Sequence, residues 1–366
     1  MTSLKTGIVG AGKVAPTYAA ALRALPESHL AGIYSQSFDS ARALAAQYHV
    51  PAYESVEDMI IKGGVQAVFI TTPHPAHAGP ALQAMRLGAH VMVEKPLAAS
   101  LEDCEVMIAT ARKFTVKLAT ISQRRLYAPA QRIKRAIEAG KLERLILGTV
   151  TMFGWRSKEY YESNAWRGTW AGEGGGVLVN QAPHQLDLMQ WFMGDIDELY
   201  GCWGNMNHPY IEVEDTALAI IRFKNGAFGN ILLSNSQNPA LYCRVSVHGS
   251  NGASVGVQTD GGAMFIAGMS TITEPPINDV WTVPGETDLF AQWQKEDRDF
   301  FQSVDATQYY HQLQIQDFLH SILEDRAPMV TGEEGRKTVE IFTAIYRSQR
   351  DRCPIKFPLE PETRLE

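Results

Sequence analysis

The chain opens with short apolar runs set at regular intervals. TGIVG (6–10), LAGIYS (30–35), QAVFITT (66–72), HVMVE (90–94) and KLATIS (117–122) are too uniformly apolar to alternate. Between them the apolar positions recur at helical spacing, over about residues 13–25 and in SFDSARALAAQY, PAHAGPALQAMRLG and SLEDCEVMIATARKF. The last of these starts with Ser100 and Asp103 at capping-box spacing. Uniformly apolar strands separated by amphipathic helices predict a parallel sheet covered on both faces. Beyond about residue 145 the runs lengthen, as in DTALAIIRF (215–223), GAFGNILLSNS (226–236) and YCRVSVHGS (242–250). Asn225-Gly226 marks a hairpin between the first two. Residues 307–325 and 333–350 then read as helices, and no repeat or low-complexity tract interrupts the chain. The expected class is α/β: a doubly wound N-terminal domain over residues 1–123, then an α+β domain over residues 124–366 with a large, mostly antiparallel open sheet.

Composition narrows the function. A chain of 366 residues has room for two domains with sizeable cores. The net charge of -7, with no basic cluster, argues against a nucleic-acid surface. No run approaches the roughly 18 apolar residues of a membrane span, and no basic stretch followed by an apolar one opens the N-terminus. Cys104, Cys202, Cys243 and Cys353 are scattered without pairing or metal-ligand spacing, which suits a reducing compartment. A cytoplasmic protein without a metal site is expected.

Candidate chemistry begins where the first strand ends. Gly10-Ala11-Gly12-Lys13-Val14-Ala15 is a G-x-G-x-x-A turn placed after a strand and opening a helix. Its glycines permit a tight turn and let backbone approach a pyrophosphate, which then rests on the helix N-terminus. This predicts a Rossmann domain binding NAD or NADP. The second strand ends in Tyr34-Ser35-Gln36-Ser37, with neither the acid that would favour NAD nor an adjacent arginine that would favour NADP. Ser35 tolerates a hydroxyl or a phosphate, so the choice stays open, with a slight lean to NAD. The fourth run, HVMVE, stops abruptly in Glu94-Lys95-Pro96. A lysine at a strand end is often only a snorkelling surface side chain.

Together these motifs resemble the Gfo/Idh/MocA family of nicotinamide-dependent sugar and cyclitol dehydrogenases. The similarity is carried by GIVGAGKVA, by Thr72-Pro73 with His77, by Gly88-Ala89-His90-Val91 and by Glu94-Lys95-Pro96. EGGGVLVNQAPHQLDLMQWFMG (173–194) and residues 310–348 extend it over nearly the whole chain. The resemblance implies that Gly10, Gly12, Lys13, Val14, Ser35, Thr72, Pro73, His77, Glu94 and Lys95 bind the cofactor. It also implies a cis Lys95–Pro96 bond. Ligands of a doubly wound sheet bind at the carboxyl ends of its strands, so Lys95 is placed to polarise a reacting hydroxyl and stabilise developing alkoxide.

His184 is the candidate general acid/base, because imidazole titrates near neutrality. Asn180 lies four residues earlier, on the same face of a predicted helix. Family members often carry aspartate there, whereas a similar asparagine occurs in the branch acting on nucleotide-sugars. Asn180 adds no charge, but it can bind a substrate hydroxyl. In WRSKEYYESNAWRGTW (155–170), Tyr160, Trp166 and Arg167 either line a carbohydrate site or form an interdomain packing loop. Arg124 and Arg125 either meet substrate or bridge the domains, and His311 either nears the pocket or is a surface helix residue. The leading function is a dehydrogenase acting on a secondary hydroxyl of a sugar, glycoside or cyclitol. An NAD-dependent glycoside hydrolase using transient oxidation and a non-catalytic sugar- or nucleotide-sensing regulator are the alternatives. Apolar second-domain strands with few helices to cover them predict a homodimer or homotetramer.

Overall fold

The computed structural model describes residues 3–241, 243–259 and 274–362. Contacts divide the chain into two compact units, the first of residues 1–123, 307–339 and 361–366, the second of residues 124–306 and 340–360.

In the first unit, six parallel strands form one sheet: β1 (Leu4–Val9), β2 (Ser28–Tyr34), β3 (Ala52–Tyr53), β4 (Ala67–Ile70), β5 (His90–Val93) and β6 (Leu118–Thr120). Their order, β3-β2-β1-β4-β5-β6, reverses direction between β1 and β4. That reversal opens the crevice where doubly wound sheets bind ligands. The connecting helices are α1 (Ala15–Ala24), α2 (Phe38–Tyr48), α3 (Val56–Ile61), α4 (Ala78–Arg86) and α5 (Leu101–Phe114). Ser37, Ser55 and Ser100 each cap a helix by accepting a backbone N–H three residues on. The short β3 and α3 have no counterpart in the sequence expectations, because two strand residues carry no readable alternation.

The second unit contains α6 (Ala128–Glu138), β7 (Leu145–Phe153), α7 (Lys158–Glu162), α8 (Trp170–Glu173), α9 (Pro183–Met193), β8 (Ile196–Gly204), β9 (Thr216–Phe223), β10 (Phe228–Ser234), β11 (Cys243–Gly249), β12 (Ser254–Thr259), β13 (Ile277–Trp281), α10 (Phe290–Ser303) and β14 (Ile355–Lys356). Its eight strands run β13-β12-β11-β7-β10-β9-β8-β14 and are antiparallel except where β10 meets β7. The hairpin expected at Asn225-Gly226 forms, with Gly226 at a φ of 85° and the Asn225 side chain accepting from Ala227 N. Tyr242, which opens the run read at 242–250, lies outside the described residues. One sheet face buries Val150, Ile221, Ile231, Val245 and Val257. The other exposes Leu218, Ile220, Phe228, Leu232 and Tyr200. Helix α9 closes on Gly148, where a Cβ would meet the Met193 side chain at 2.7 Å.

The last helices are α11 (Ala306–Leu323) and α12 (Gly332–Asp351). Ile315, Phe318 and Leu319 of α11 are buried in one core with Tyr18, Leu22, Ile33, Phe69 and Met92. Residues 307–339 therefore belong with the N-terminal sheet rather than with a domain cut once at 123/124. The physical reason is that the apolar stripe of α11 is what covers that part of the sheet. Among the described residues, no helix is long and apolar enough to cross a membrane.

Candidate active site

The candidate residues of the first unit gather at the carboxyl ends of β1, β4 and β5. Gly10 has a φ of 107°, and a Cβ there would lie 2.9 Å from the Thr71 backbone and hydroxyl. Only glycine accepts both that dihedral and that approach. The Thr71 hydroxyl lies 3.1 Å from the carbonyls of both Val9 and Gly10, tying β4 to the turn. Helix α1 begins behind Val14 with no side-chain cap and no acidic residue in its first turn. Gly12 and Lys13 complete the bend, and only the Thr71 carbonyl comes as near as 4.0 Å to a Cβ built on Gly12. A helix N-terminus left uncapped, behind a turn with room for an anion, fits a dinucleotide pyrophosphate. Ser35 follows β2 and is half-buried, whereas Ser37 is committed to capping α2.

Thr72, Pro73 and His77 have a more internal role. The Thr72 hydroxyl donates to Ala76 O at 2.9 Å, within its own turn. Pro73 caps the short turn that follows. His77 is fully buried, with Nε2 2.9 Å from Thr72 O and Nδ1 3.0 Å from Pro96 O. Its ring joins the loop after β4 to the loop after β5 instead of facing outward, and burial lowers its pKa. The residue of this stretch that touches the β1 turn is Thr71, which sequence reasoning passed over in favour of its neighbour.

Glu94 follows β5 and is buried. It accepts from the Tyr18 hydroxyl at 2.8 Å and from Lys95 N at 3.1 Å, while His311 Nε2 lies 3.6 Å away. Burial alone would oppose ionisation. His311, Lys95 and the Tyr18 hydroxyl outweigh it and bring the carboxyl down to about 2. His311 is itself buried, edge-on to Tyr18, with Nδ1 2.7 Å from Thr307 O. It is thus an internal partner of the carboxylate next to Lys95, and not a surface helix residue. Lys95 is part-buried and its bond to Pro96 is cis.

In the second unit, the candidate residues are built on a glycine run. Gly174, Gly175 and Gly176 lead into a π-helical turn, Val177–Gln181, and α9 starts afresh at Pro183. Asn180 and His184 therefore do not share one α-helical face, contrary to the sequence expectation. The turn is widened by an Ala182 N to Val177 O bond at 2.9 Å, and Pro183, lacking an N–H, restarts the helix. Glu214, wholly buried, supplies the carboxyl group that holds this turn. Its carboxylate accepts from Gly176 N at 2.9 Å and Leu178 N at 3.0 Å, and its carbonyl accepts from Val177 N at 3.0 Å. Burial raises the Glu214 carboxyl to about 7, against the opposing pull of those donors.

Asn180 projects from the π turn into a polar cluster. Its Nδ2 donates to Glu173 Oε1 and, at 3.2 Å, to the Tyr160 hydroxyl. Glu173 is 1% exposed and also accepts from Gly168 N at 2.6 Å. The Tyr160 oxygen receives Arg167 Nη1 and, at 3.2 Å, Gln181 Nε2. The Arg167 guanidinium lies 4.2 Å from the Tyr160 ring centre and 4.5 Å from that of Trp166. Tyr160 is buried and its hydroxyl is saturated by internal donors, so it supports the cluster from within; Trp166 and Arg167 are only part-buried. His184 opens α9 and is 9% exposed. One turn on, Asp187 forms a buried, two-point pair with Arg125 at 2.8 and 2.7 Å, which anchors α9. Arg124 donates to Thr259 Oγ1 at 2.9 Å. Among the described residues, no cluster of three or more His, Cys, Asp or Glu side chains is placed to hold a metal.

Residues 4–121 match the Gfo/Idh/MocA group described as "Oxidoreductase family, NAD-binding Rossmann fold", and residues 134–357 match its "C-terminal alpha/beta domain". The chain belongs to the Gfo/Idh/MocA oxidoreductase family. Its N-terminal domain is an NAD-binding Rossmann domain, in keeping with the open α1 turn. Among solved structures, it is similar to the WlbA dehydrogenase from Bordetella pertussis in complex with NADH and UDP-GlcNAcA, with a TM-score of 0.86 and 28% identity over 98% of this chain and 99% of that one. It is 23% identical to the myo-inositol 2-dehydrogenase of Thermotoga maritima over 96% of this chain and 98% of that protein. It is 31% identical over 245 residues to 1-carboxy-3-chloro-3,4-dihydroxycyclo hexa-1,5-diene dehydrogenase of Comamonas testosteroni, spanning 63% of this chain but 58% of that relative's length.

Proposed function

We propose that this NAD-dependent oxidoreductase interconverts a secondary hydroxyl and a ketone on a sugar, nucleotide-linked sugar, glycoside or cyclitol. The bound nicotinamide would supply hydride acceptance in its oxidised form and hydride donation in its reduced form. Lys95 polarises the oxygen and stabilises developing alkoxide, while His184 receives the hydroxyl proton during oxidation and restores it during reduction. Gly10, Gly12, Lys13 and Val14 hold the pyrophosphate on α1, Ser35 faces the adenosine ribose, and Thr72, Pro73, His77 and Glu94 shape the strand ends. Asn180, Arg167 and Trp166 contact substrate. The observation that carries this reading is the setting of Lys95, which follows a parallel strand and adjoins a buried, ionised Glu94 held by Tyr18 and His311. WlbA, crystallised with UDP-GlcNAcA, supports including nucleotide-sugars in the substrate class.

The test is nicotinamide absorbance over a panel of monosaccharides, glycosides, inositols and nucleotide-sugars. Lys95→Ala is expected to lower turnover by about 100-fold or more while NAD affinity survives. His184→Ala should cost about two to four orders of magnitude and abolish the pH-dependent limb of oxidation. Near-normal turnover in Lys95→Ala would overturn the assignment. Glycoside cleavage without net absorbance change would instead favour hydrolysis by transient oxidation.

The exposed sheet face supports a homodimer or homotetramer. Ile220, 65% exposed, lies opposite Tyr200 on β8, and Leu218 opposite Leu232 on β10. A continuous apolar patch of this kind marks an interface. Sedimentation should show an oligomer that Ile220→Lys dissociates.

A further inference from the structure

We infer that His208 is a positioning residue: held as an imidazolium between the Asp215 carboxylate and the Arg156 carbonyl, it fixes the segment from which α7 starts. Its bearing on substrate rests on the dehydrogenase reading above; the clamp itself does not. His208 is 1% exposed, with Nδ1 2.7 Å from Asp215 Oδ2 and Nε2 2.9 Å from Arg156 O. Asp215 is buried, and its carboxylate also accepts from Met206 N at 2.9 Å, Asn207 N at 2.8 Å and the Thr216 hydroxyl at 2.9 Å. Burial alone would raise this carboxyl, but His208 and those donors outweigh it and hold it below its ordinary value. An ionised carboxylate and a peptide carbonyl only accept, so both ring nitrogens of His208 have to donate, which a neutral imidazole cannot do. Ser236 Oγ, 3.5 Å from Nδ1, is too distant to displace Asp215 as the partner. The rings of Trp155, Tyr161 and Tyr210 flank the imidazole at centre distances of 5.8, 5.5 and 5.7 Å, a setting that favours a cation. Arg156 N donates to Asn235 O at 3.1 Å, so both backbone groups of this residue are held from outside its own segment. The next residue, Ser157, caps α7, and the Arg156 guanidinium lies 5.4 Å from the Tyr160 ring centre. The Tyr160 hydroxyl in turn receives Arg167, Asn180 and Gln181. Through α7, His208 thus reaches the side chains proposed to meet substrate.

The test reads the ring directly, by NMR of the whole chain with isotope-labelled histidine rings. The His208 signals, assigned by their loss in His208→Gln, should show a proton on each ring nitrogen at neutral pH. A bare nitrogen would refute the inference. His208→Gln itself offers a single amide nitrogen and no charge, so it cannot span Asp215 and Arg156 O. Amide exchange over residues 157–163 should then quicken by about 10-fold or more, as for loss of one charge-assisted hydrogen bond, while exchange in β10 stays slow. KM for substrate should rise by about 10-fold or more, with a smaller change in kcat and none in NAD affinity. Unaltered exchange or an unaltered KM in the folded variant would refute the positioning role. Should His208→Gln fail to fold, Asp215→Asn takes over: the His208 ring should drop to one proton and the same amides should exchange faster, whereas two retained protons would sink the idea. If the wild-type chain transfers no hydride to any panel member, the dehydrogenase reading fails instead, and the ring spectra and amide exchange still decide the clamp.

Discussion

Two glycine-rich turns, Gly10–Val14 and Gly174–Val177, both lead into helical backbone, whose first peptide N–H donors find no partner within the helix itself. They differ in what answers those donors. The second turn is closed by a carboxyl group of the protein itself: Glu214 binds Gly176 N and Leu178 N from a position 38 and 36 residues away in the chain. The first has no side-chain cap and no acid in its first turn. The same device thus builds scaffold in one place and, in the other, forms the turn we propose as the pyrophosphate cradle.

Substitutions sharpen this contrast in a graded order of stability loss. Gly176→Ala is the most severe, because its Cβ would drive into the Glu214 carbonyl oxygen, a backbone atom with nowhere to move. A loss of about 3 kcal/mol or more is expected in urea titrations, and a wild-type midpoint would break the comparison. Gly10→Ala comes next, at about 2 kcal/mol, combining a left-handed φ with contact at 2.9 Å to Thr71. NAD affinity should fall with it.

Glu214→Gln is milder at neutral pH, about 1 kcal/mol, since one amide oxygen can still accept from both peptide donors. Its signature is the pH dependence. The folded pKa of Glu214, about 7, lies above its ordinary value of 4.5. The stability linked to this group is therefore fully present below pH 4.5 and is lost as pH rises through 7, at about 1.4 kcal/mol for each pH unit between the two values. Melting curves of Glu214→Gln should lose that part of the slope between pH 4.5 and 7; an unaltered slope would remove Glu214 as its source. Glu94 has the opposite sign. Its pKa, about 2, contributes stability above 4.5 that is lost as pH falls toward 2, because His311, Lys95 and the Tyr18 hydroxyl outweigh its burial, whereas the backbone donors on Glu214 do not outweigh the burial there.

Gly12→Val should perturb stability least, within about 0.5 kcal/mol, because the space beside Gly12 is open. Its effect should fall on NAD, with affinity weakened at least about tenfold in a fluorescence titration as the branched side chain occupies the pyrophosphate approach. Unchanged affinity in the folded variant would show that the first turn is not the cradle.

The parallel strands were legible because burial on both faces leaves each as an unbroken apolar run, and β9 and β10 were legible through Asn225-Gly226 and their alternation. The short β3 was not, being two residues long. The continuous helix expected through Asn180 and His184 failed for a different reason. Helical spacing is a property of neighbours along the chain, whereas the π turn is imposed by Glu214 from a distant segment. Likewise His311 read equally well as pocket or surface, since only the tertiary fold brings α11 beside Tyr18 and Glu94. Thr71 and Glu173 carried no signal that distinguished them from their neighbours.

By itself, the sequence determined the strand and helix alternation, the G-x-G-x-x-A turn and the placement of Lys95 at a strand end, because these depend on local periodicity and backbone sterics. The tertiary structure decided which of two similar glycine turns is closed by an internal carboxyl group, which way the Asn180 amide faces, and which buried carboxyl is held ionised. Each of those depends on a partner brought in by the fold, and hydrogen-bond direction and desolvation have no meaning until that partner is in place.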